Sequence, residues 1–132
     1  MSDSNNKILN FSISNKSVKH SQLTNLNHIK RKINSYKYQD IKMNRVIDNN
    51  ITYDQLINKL QNSNMTCYYC NSTLNFHGPL QWTLDRKENH IAHTNSNTVI
   101  SCLRCNLKKR RQCTERFING IKLVSNGILK TT

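Results

Sequence analysis

The stretch Thr83–Asn106 reads TLDRKENHIAHTNSNTVISCLRCN. It closes on Cys102 and Cys105, two cysteines at knuckle spacing, which is half of a metal site. Ahead of them stand an acid, two histidines and several asparagines, more polar chemistry than a structural knuckle requires. Working outward, LQWTLDR alternates Leu80, Trp82 and Leu84 as apolar positions, which predicts a short strand. NTVIS predicts a second strand over Thr98–Ser101. A helix is expected to begin near Leu103 and run through NLKKRR. The segment therefore reads strand, loop, strand, helix, and the fold class is α+β.

The other half of the metal site lies upstream in the CYYC stretch, Cys67 and Cys70. Between Cys70 and Cys102 there are 31 residues, room for the predicted strand, loop and strand. Zn2+ favours tetrahedral sulfur ligation, and two C-x2-C pairs supply four thiolates. With every position filled by protein, this zinc is structural: it would clamp the base of a hairpin and the start of a helix. The cysteine count is five, and an odd number without a secretion signal argues against a disulfide framework. Cys113 falls outside the pattern and reads as a free thiol.

The whole chain is 132 residues, enough for one domain. Twenty Lys and Arg stand against seven Asp and Glu, a net charge of +13, which calls for a polyanionic partner. Nucleic acid is the first candidate and an anionic membrane surface the second. No apolar run reaches transmembrane length and no apolar core of a signal peptide follows Met1, so a soluble intracellular protein is expected. Hydrophobic content is low, and a structural metal would help so modest a core to fold.

Residues 1–24 are rich in Ser, Asn and Lys without a sustained period and read as a disordered basic tail. Residues 25–64 read as a helical extension. There Leu26, Ile29, Ile33 and Tyr36 recur at helical spacing, with Lys30, Arg31 and Lys32 on the outer face of a three-turn helix. In NNITYDQLINKL, Thr52 can N-cap and Gln55 can complete a capping box. Tyr53, Leu56, Ile57 and Leu60 then form one apolar stripe, ending around Asn62 to Asn64. Gly78-Pro79 marks a turn, and Thr114 can cap a short helix over ERFIN. The zinc-bound domain is placed at 65–120 and a C-terminal tail at 121–132.

LDRKENHIAHTNSNTVISCLRCNLKK resembles the HNH endonucleases, a branch of the ββα-metal (His-Me finger) nucleases. Their usual form is an Asp-His pair ending the first strand, an Asn before the second, and C-x2-C followed by His or Asn at the helix start. The chain is most similar to a variant subgroup, met in large DNA viruses and phages, with Leu-Asp-Arg followed by His/Tyr-Thr-x-x-Asn-x-Val. The resemblance covers about residues 26–112, because NITYDQLI also has a counterpart there.

The resemblance implies a small zinc-stapled ββα-metal fold with preceding helices, and a role for each matched residue. Asp85 stands at the metal-binding acid, Asn106 at the second ligand of the catalytic ion, and Asn97 at the Asn that braces the loop. Arg86 occupies the place of the usual general-base His, and His93 the His/Tyr position of the subgroup. Phosphodiester hydrolysis needs the phosphate charge neutralised and a water deprotonated. A hard ion, Mg2+ or Mn2+, on Asp85 and the Asn106 side-chain oxygen would do the first. A guanidinium stays protonated, so Arg86 is expected to clamp the phosphate, not to take a proton. The base is then sought in His93 first, His90 second and Glu88 third.

The run RCNLKKRRQCTER carries Arg104, Lys108, Lys109, Arg110, Arg111 and Arg116 around and after Asn106. Such cations suit the nucleic-acid backbone, with KKRR as a nuclear localisation signal the rival reading. The expected function is hydrolysis of DNA phosphodiester bonds, with RNA kept open as substrate and no membrane partner. A zinc-stabilised nucleic-acid-binding protein without catalysis is the alternative. The expected location is the nucleus or a viral factory of an infected cell.

Overall fold

The computed structural model describes residues 18–125. The bulk of the tail expected over 1–24, and the last residues of the tail expected over 121–132, lie outside them. Helix α1 spans Val18–Lys42, α2 Tyr53–Ser63, strand β1 Trp82–Arg86, β2 Thr98–Cys102, α3 Leu103–Lys109 and α4 Thr114–Ser125. Among the described residues this is an α+β arrangement of four helices and one two-stranded antiparallel sheet.

Helix α1 begins seven residues before the expected start and runs 25 residues. Its buried stripe follows the predicted one: Ile29 is sealed from solvent, and Ile33 and Tyr36 pack against the core. The stripe continues four residues beyond Tyr36 to Asp40, a carboxylate that is 0 % exposed. The helix stops where Asn44 turns left-handed, at φ 57°. Lys32 leaves the expected outer face. It is half-buried, lies 4.5 Å over the Trp82 ring, and donates to the Trp82 carbonyl at 2.7 Å.

Helix α2 has the predicted capping box. Gln55 N–H donates to Thr52 Oγ1 at 3.2 Å, and Thr52 N–H donates to Gln55 Oε1 at 3.0 Å. Leu56, Ile57 and Leu60 are buried, and Asn64 closes the helix in the left-handed region.

The strands pair as Trp82 with Cys102, Leu84 with Ile100 and Arg86 with Thr98. Both faces of β1 are covered. Trp82 meets His28 of α1 edge-on, and the Tyr36 hydroxyl accepts the Leu84 N–H at 3.0 Å. On the opposite face, Thr83 and Asp85 meet side chains of α3. Helix α3 therefore lies across the β1–β2 hairpin, with Cys102 both ending β2 and capping α3.

Two expected helix ends differ. Helix α3 stops at Lys109 because Arg110 takes φ 54°, so Arg110 and Arg111 belong to the turn after it. Helix α4 runs twelve residues, well past ERFIN and into the expected tail. Phe117 anchors it in the core beside Tyr69. No helix of the described residues is long and apolar enough to cross a membrane.

Candidate metal centre and nucleic-acid-facing site

The two knuckles converge. The sulfurs of Cys67, Cys70, Cys102 and Cys105 all lie within 4.8 Å of one another. Backbone N–H groups point at them: Tyr69, Cys70 and Cys102 donate to Cys67 Sγ, and Cys105 donates to Cys102 Sγ. Such donors favour thiolates over thiols. Burial pushes the Cys67 and Cys105 thiols up, a cost that a cation among the sulfurs would offset. Burial also raises Cys70, but Ser72, Cys67 and the Arg104 guanidinium outweigh it and bring that thiol down to about 6. The donor set and spacing can hold a metal ion such as zinc, and four protein ligands leave no open position for substrate. Cys113 is half-buried and stands apart from the cluster.

Asn97 sits at the mouth of β2 and ties the β1–β2 loop together. Its Oδ1 accepts the Glu88 N–H at 3.0 Å, and its Nδ2 donates to the carbonyls of Glu88, Ile91 and Ala92 at 3.1 Å each. One buried amide thus holds both limbs of the loop that carries His90 and His93.

Asp85 and Asn106 face each other's element across the strand–helix interface. Asn106 Nδ2 donates to Thr83 Oγ1 at 3.2 Å. Asp85, 4 % exposed, has both oxygens engaged: Tyr69 Oη donates to Oδ2 at 2.5 Å, and Lys109 Nζ lies 3.4 Å from Oδ1. Burial raises the Asp85 carboxyl above the usual range, with Tyr69 and Lys109 pulling it back. The same burial, with Asp85 beside it, keeps Tyr69 a neutral phenol and hence a donor. The Asp85 carboxylate and the Asn106 amide oxygen suit a hard divalent ion in kind, and α3 brings them to one side of β1.

Lys109 corrects an expectation. Placed by sequence among the phosphate contacts, it is 2 % exposed and points inward, donating to Arg86 O at 2.7 Å as well as pairing with Asp85. Arg104, Lys108, Arg110, Arg111 and Arg116 are exposed. Arg86 is half-buried, its guanidinium held by the carbonyl and side chain of Asn89.

His93, first among the expected bases, is buried on the α1 side of β1. Its ring stacks on Tyr36 at 4.6 Å, and its Nδ1 lies 2.9 Å from Asp40 Oδ2. Burial lowers its pKa, and the Arg86 and Arg45 guanidiniums add to that against the pull of Asp40, so the ring is neutral and donates to Asp40. His90 and Glu88 lie in the same loop, and both are exposed.

Sequence reasoning missed Asp40, Tyr69 and Lys59. Asp40 gathers the His93 N–H and ring, Asn50 Nδ2 and the Arg45 guanidinium. Its signal was a charge in register with an apolar helical stripe. Tyr69 was visible only as a knuckle residue between Cys67 and Cys70. Lys59 ties α2 to the carbonyls of Asn95 and Thr98, and nothing in the sequence marked it.

No family model, no curated protein and no solved structure matches the chain.

Proposed function

We propose that the protein is an HNH-type endonuclease that hydrolyses DNA phosphodiester bonds with a divalent ion, its zinc being structural. The observation that carries this reading is that Thr83 and Asp85 of β1 meet Asn106 and Lys109 of α3, a helix whose start carries two sulfurs of the four-cysteine cluster. A strand-end carboxylate and an amide in the first turn of a helix then share one side of a hairpin. The cysteine cluster makes that arrangement rigid, which is what a positioned reaction needs.

Each residue then has a task. Asp85 and Asn106 would hold the ion, and the ion would supply a Lewis acid for the scissile phosphate. Tyr69 orients the Asp85 carboxylate through its hydroxyl. Lys108, Arg110 and Arg111, exposed on and just after α3, neutralise flanking phosphates and set the strand's path without reading bases. Arg86 stabilises charge that develops on the phosphate. Proton transfer is assigned to His90, the exposed histidine of the loop that Asn97 braces.

The test is conversion of supercoiled plasmid to nicked circle by the zinc-loaded chain with added Mg2+ or Mn2+. Metal-dependent nicking that weakens in Asn106→Ala and His90→Ala supports these roles. A second reading, a nucleic-acid-binding protein without catalysis, is favoured by one observation: Lys109 already neutralises Asp85. It predicts salt-sensitive DNA binding and no nicking with any ion.

A further inference from the structure

We propose that Lys109 is a built-in cation competing with the divalent ion for Asp85, so that the oxygen site between β1 and α3 is latent in the free protein. The inference rests on the reading of Asp85 as a ligand. It concerns what sets the metal requirement of that site.

Asn106 and Lys109 are three residues apart on α3, hence on one face of the helix. Both turn that face to β1: Asn106 reaches Thr83, and Lys109 reaches Asp85. An ion shared by Asp85 and Asn106 would lie against the Lys109 ammonium. The two cations repel, and burial strengthens that repulsion because little water screens it. Tyr69 is no such obstacle. Its hydroxyl takes one lone pair of Asp85 Oδ2 and leaves others free. Lys109 is also anchored twice, by Asp85 and by the Arg86 carbonyl, and α3 ends on it. A divalent ion must therefore undo a buried ion pair before it meets an open carboxylate.

The converse follows. A Lys109→Met chain keeps the aliphatic stem but leaves Asp85 buried without its ammonium partner. Such a carboxylate recruits a cation from solution. Tb3+ is a suitable probe, since it prefers oxygen ligands and its emission is sensitised by a nearby tyrosine such as Tyr69. Zinc-loaded wild type, Lys109→Met, and Lys109→Met with Asp85→Asn would be titrated with Tb3+, then chased with Mn2+.

Tb3+ should bind Lys109→Met about tenfold or more tightly than wild type, a coupling of the usual size between interacting sites. Asp85→Asn should abolish the gain, and Mn2+ should displace the probe. Equal affinity in wild type and Lys109→Met would overturn the proposal, as would a gain that survives Asp85→Asn or no binding in either. Should Lys109→Met fold poorly, melting with and without Mn2+ decides instead. Mn2+ must raise the midpoint of Lys109→Met more than that of wild type, and equal shifts sink the idea. No readout here uses cleavage, so a protein that never cuts DNA would refute the nuclease reading while these titrations still judge Lys109.

Discussion

Asp40 Oδ2 and His93 Nδ1 lie 2.9 Å apart across 53 residues of sequence, joining the end of α1 to the loop between β1 and β2. Asp40 is sealed from solvent and also accepts from the His93 N–H at 3.0 Å, from Asn50 Nδ2 at 2.9 Å and from Arg45 Nη1 at 3.2 Å. One carboxylate thereby fixes three separate segments around the hairpin. Removing it leaves a guanidinium and several N–H donors without their acceptor. Asp40→Ala should cost about 3–5 kcal/mol, the usual penalty for breaking a buried ion pair from one side. Asp40→Asn keeps an acceptor oxygen and should cost less. Urea denaturation of the zinc-loaded variants checks both values.

The same pair makes stability depend on pH. The His93 pKa is lowered by burial, so the unfolded chain binds its proton first as pH falls through the ordinary histidine value near 6.5. Stability should therefore decline below that value, by about 1.4 kcal/mol for each unit by which the folded pKa is lowered. The decline levels off once His93 protonates in the fold as well. Asp40 sits below its ordinary value, because the His93 and Asn50 hydrogen bonds outweigh burial, and adds a further loss under strongly acidic conditions. Thermal melts of wild type between pH 7 and 5 should slope downward. His93→Gln should flatten that limb, and an unchanged slope would assign it elsewhere.

Zinc should be a folding requirement. Structural zinc contributes about 10–16 kcal/mol of apparent binding free energy in small domains near neutral pH, as much as the whole net stability of an ordinary domain, about 5–15 kcal/mol. The chain should bind one zinc ion through its cysteines, and a strong chelator should collapse the melting transition. Cys102→Ser should mimic the chelator, because Cys102 is at once a cluster sulfur, the end of β2 and the cap of α3. Cys113→Ser should leave metal content and stability unchanged.

These effects bear on what could be read from residues alone. The capping box of α2 and the two strands were legible because each depends on spacing within a short stretch, and the pairing of the knuckles because two C-x2-C pairs together supply four thiolates. The roles of Asp40 and Lys109 were not. Asp40 looks like one more charge on a polar helix until its partners arrive from positions 45, 50 and 93. Lys109 sits in a run of four cations, and spacing cannot say which of them turns inward. The break at Arg110 decides it: the helix ends, Arg110 and Arg111 leave for solvent, and Lys109 stays on the face that meets β1.

The proposed nucleic-acid face should follow that division. Arg110→Ala and Arg111→Ala should each weaken DNA binding across unrelated sequences. Removing one phosphate-binding cation should also flatten the slope of log affinity against log salt by about 0.9. Lys109→Met should leave the slope unchanged, since its ammonium is spent on Asp85 and Arg86. Fluorescence anisotropy with a labelled duplex at several salt concentrations separates the two classes.

The most direct test of the nuclease reading is plasmid nicking by zinc-loaded wild type and Asp85→Asn, with DNA binding by the same two preparations measured in parallel. Asparagine can still accept the Tyr69 hydroxyl, but it leaves Lys109 without its counter-ion, so the parallel DNA binding and a melting curve establish that the variant is folded. The account predicts nicking by wild type only when Mg2+ or Mn2+ is added, and loss of about a hundredfold or more in Asp85→Asn, as expected when electrostatic support for the transition state is removed. Nicking undiminished in Asp85→Asn would contradict it, as would two proteins that bind DNA equally and nick it with neither ion.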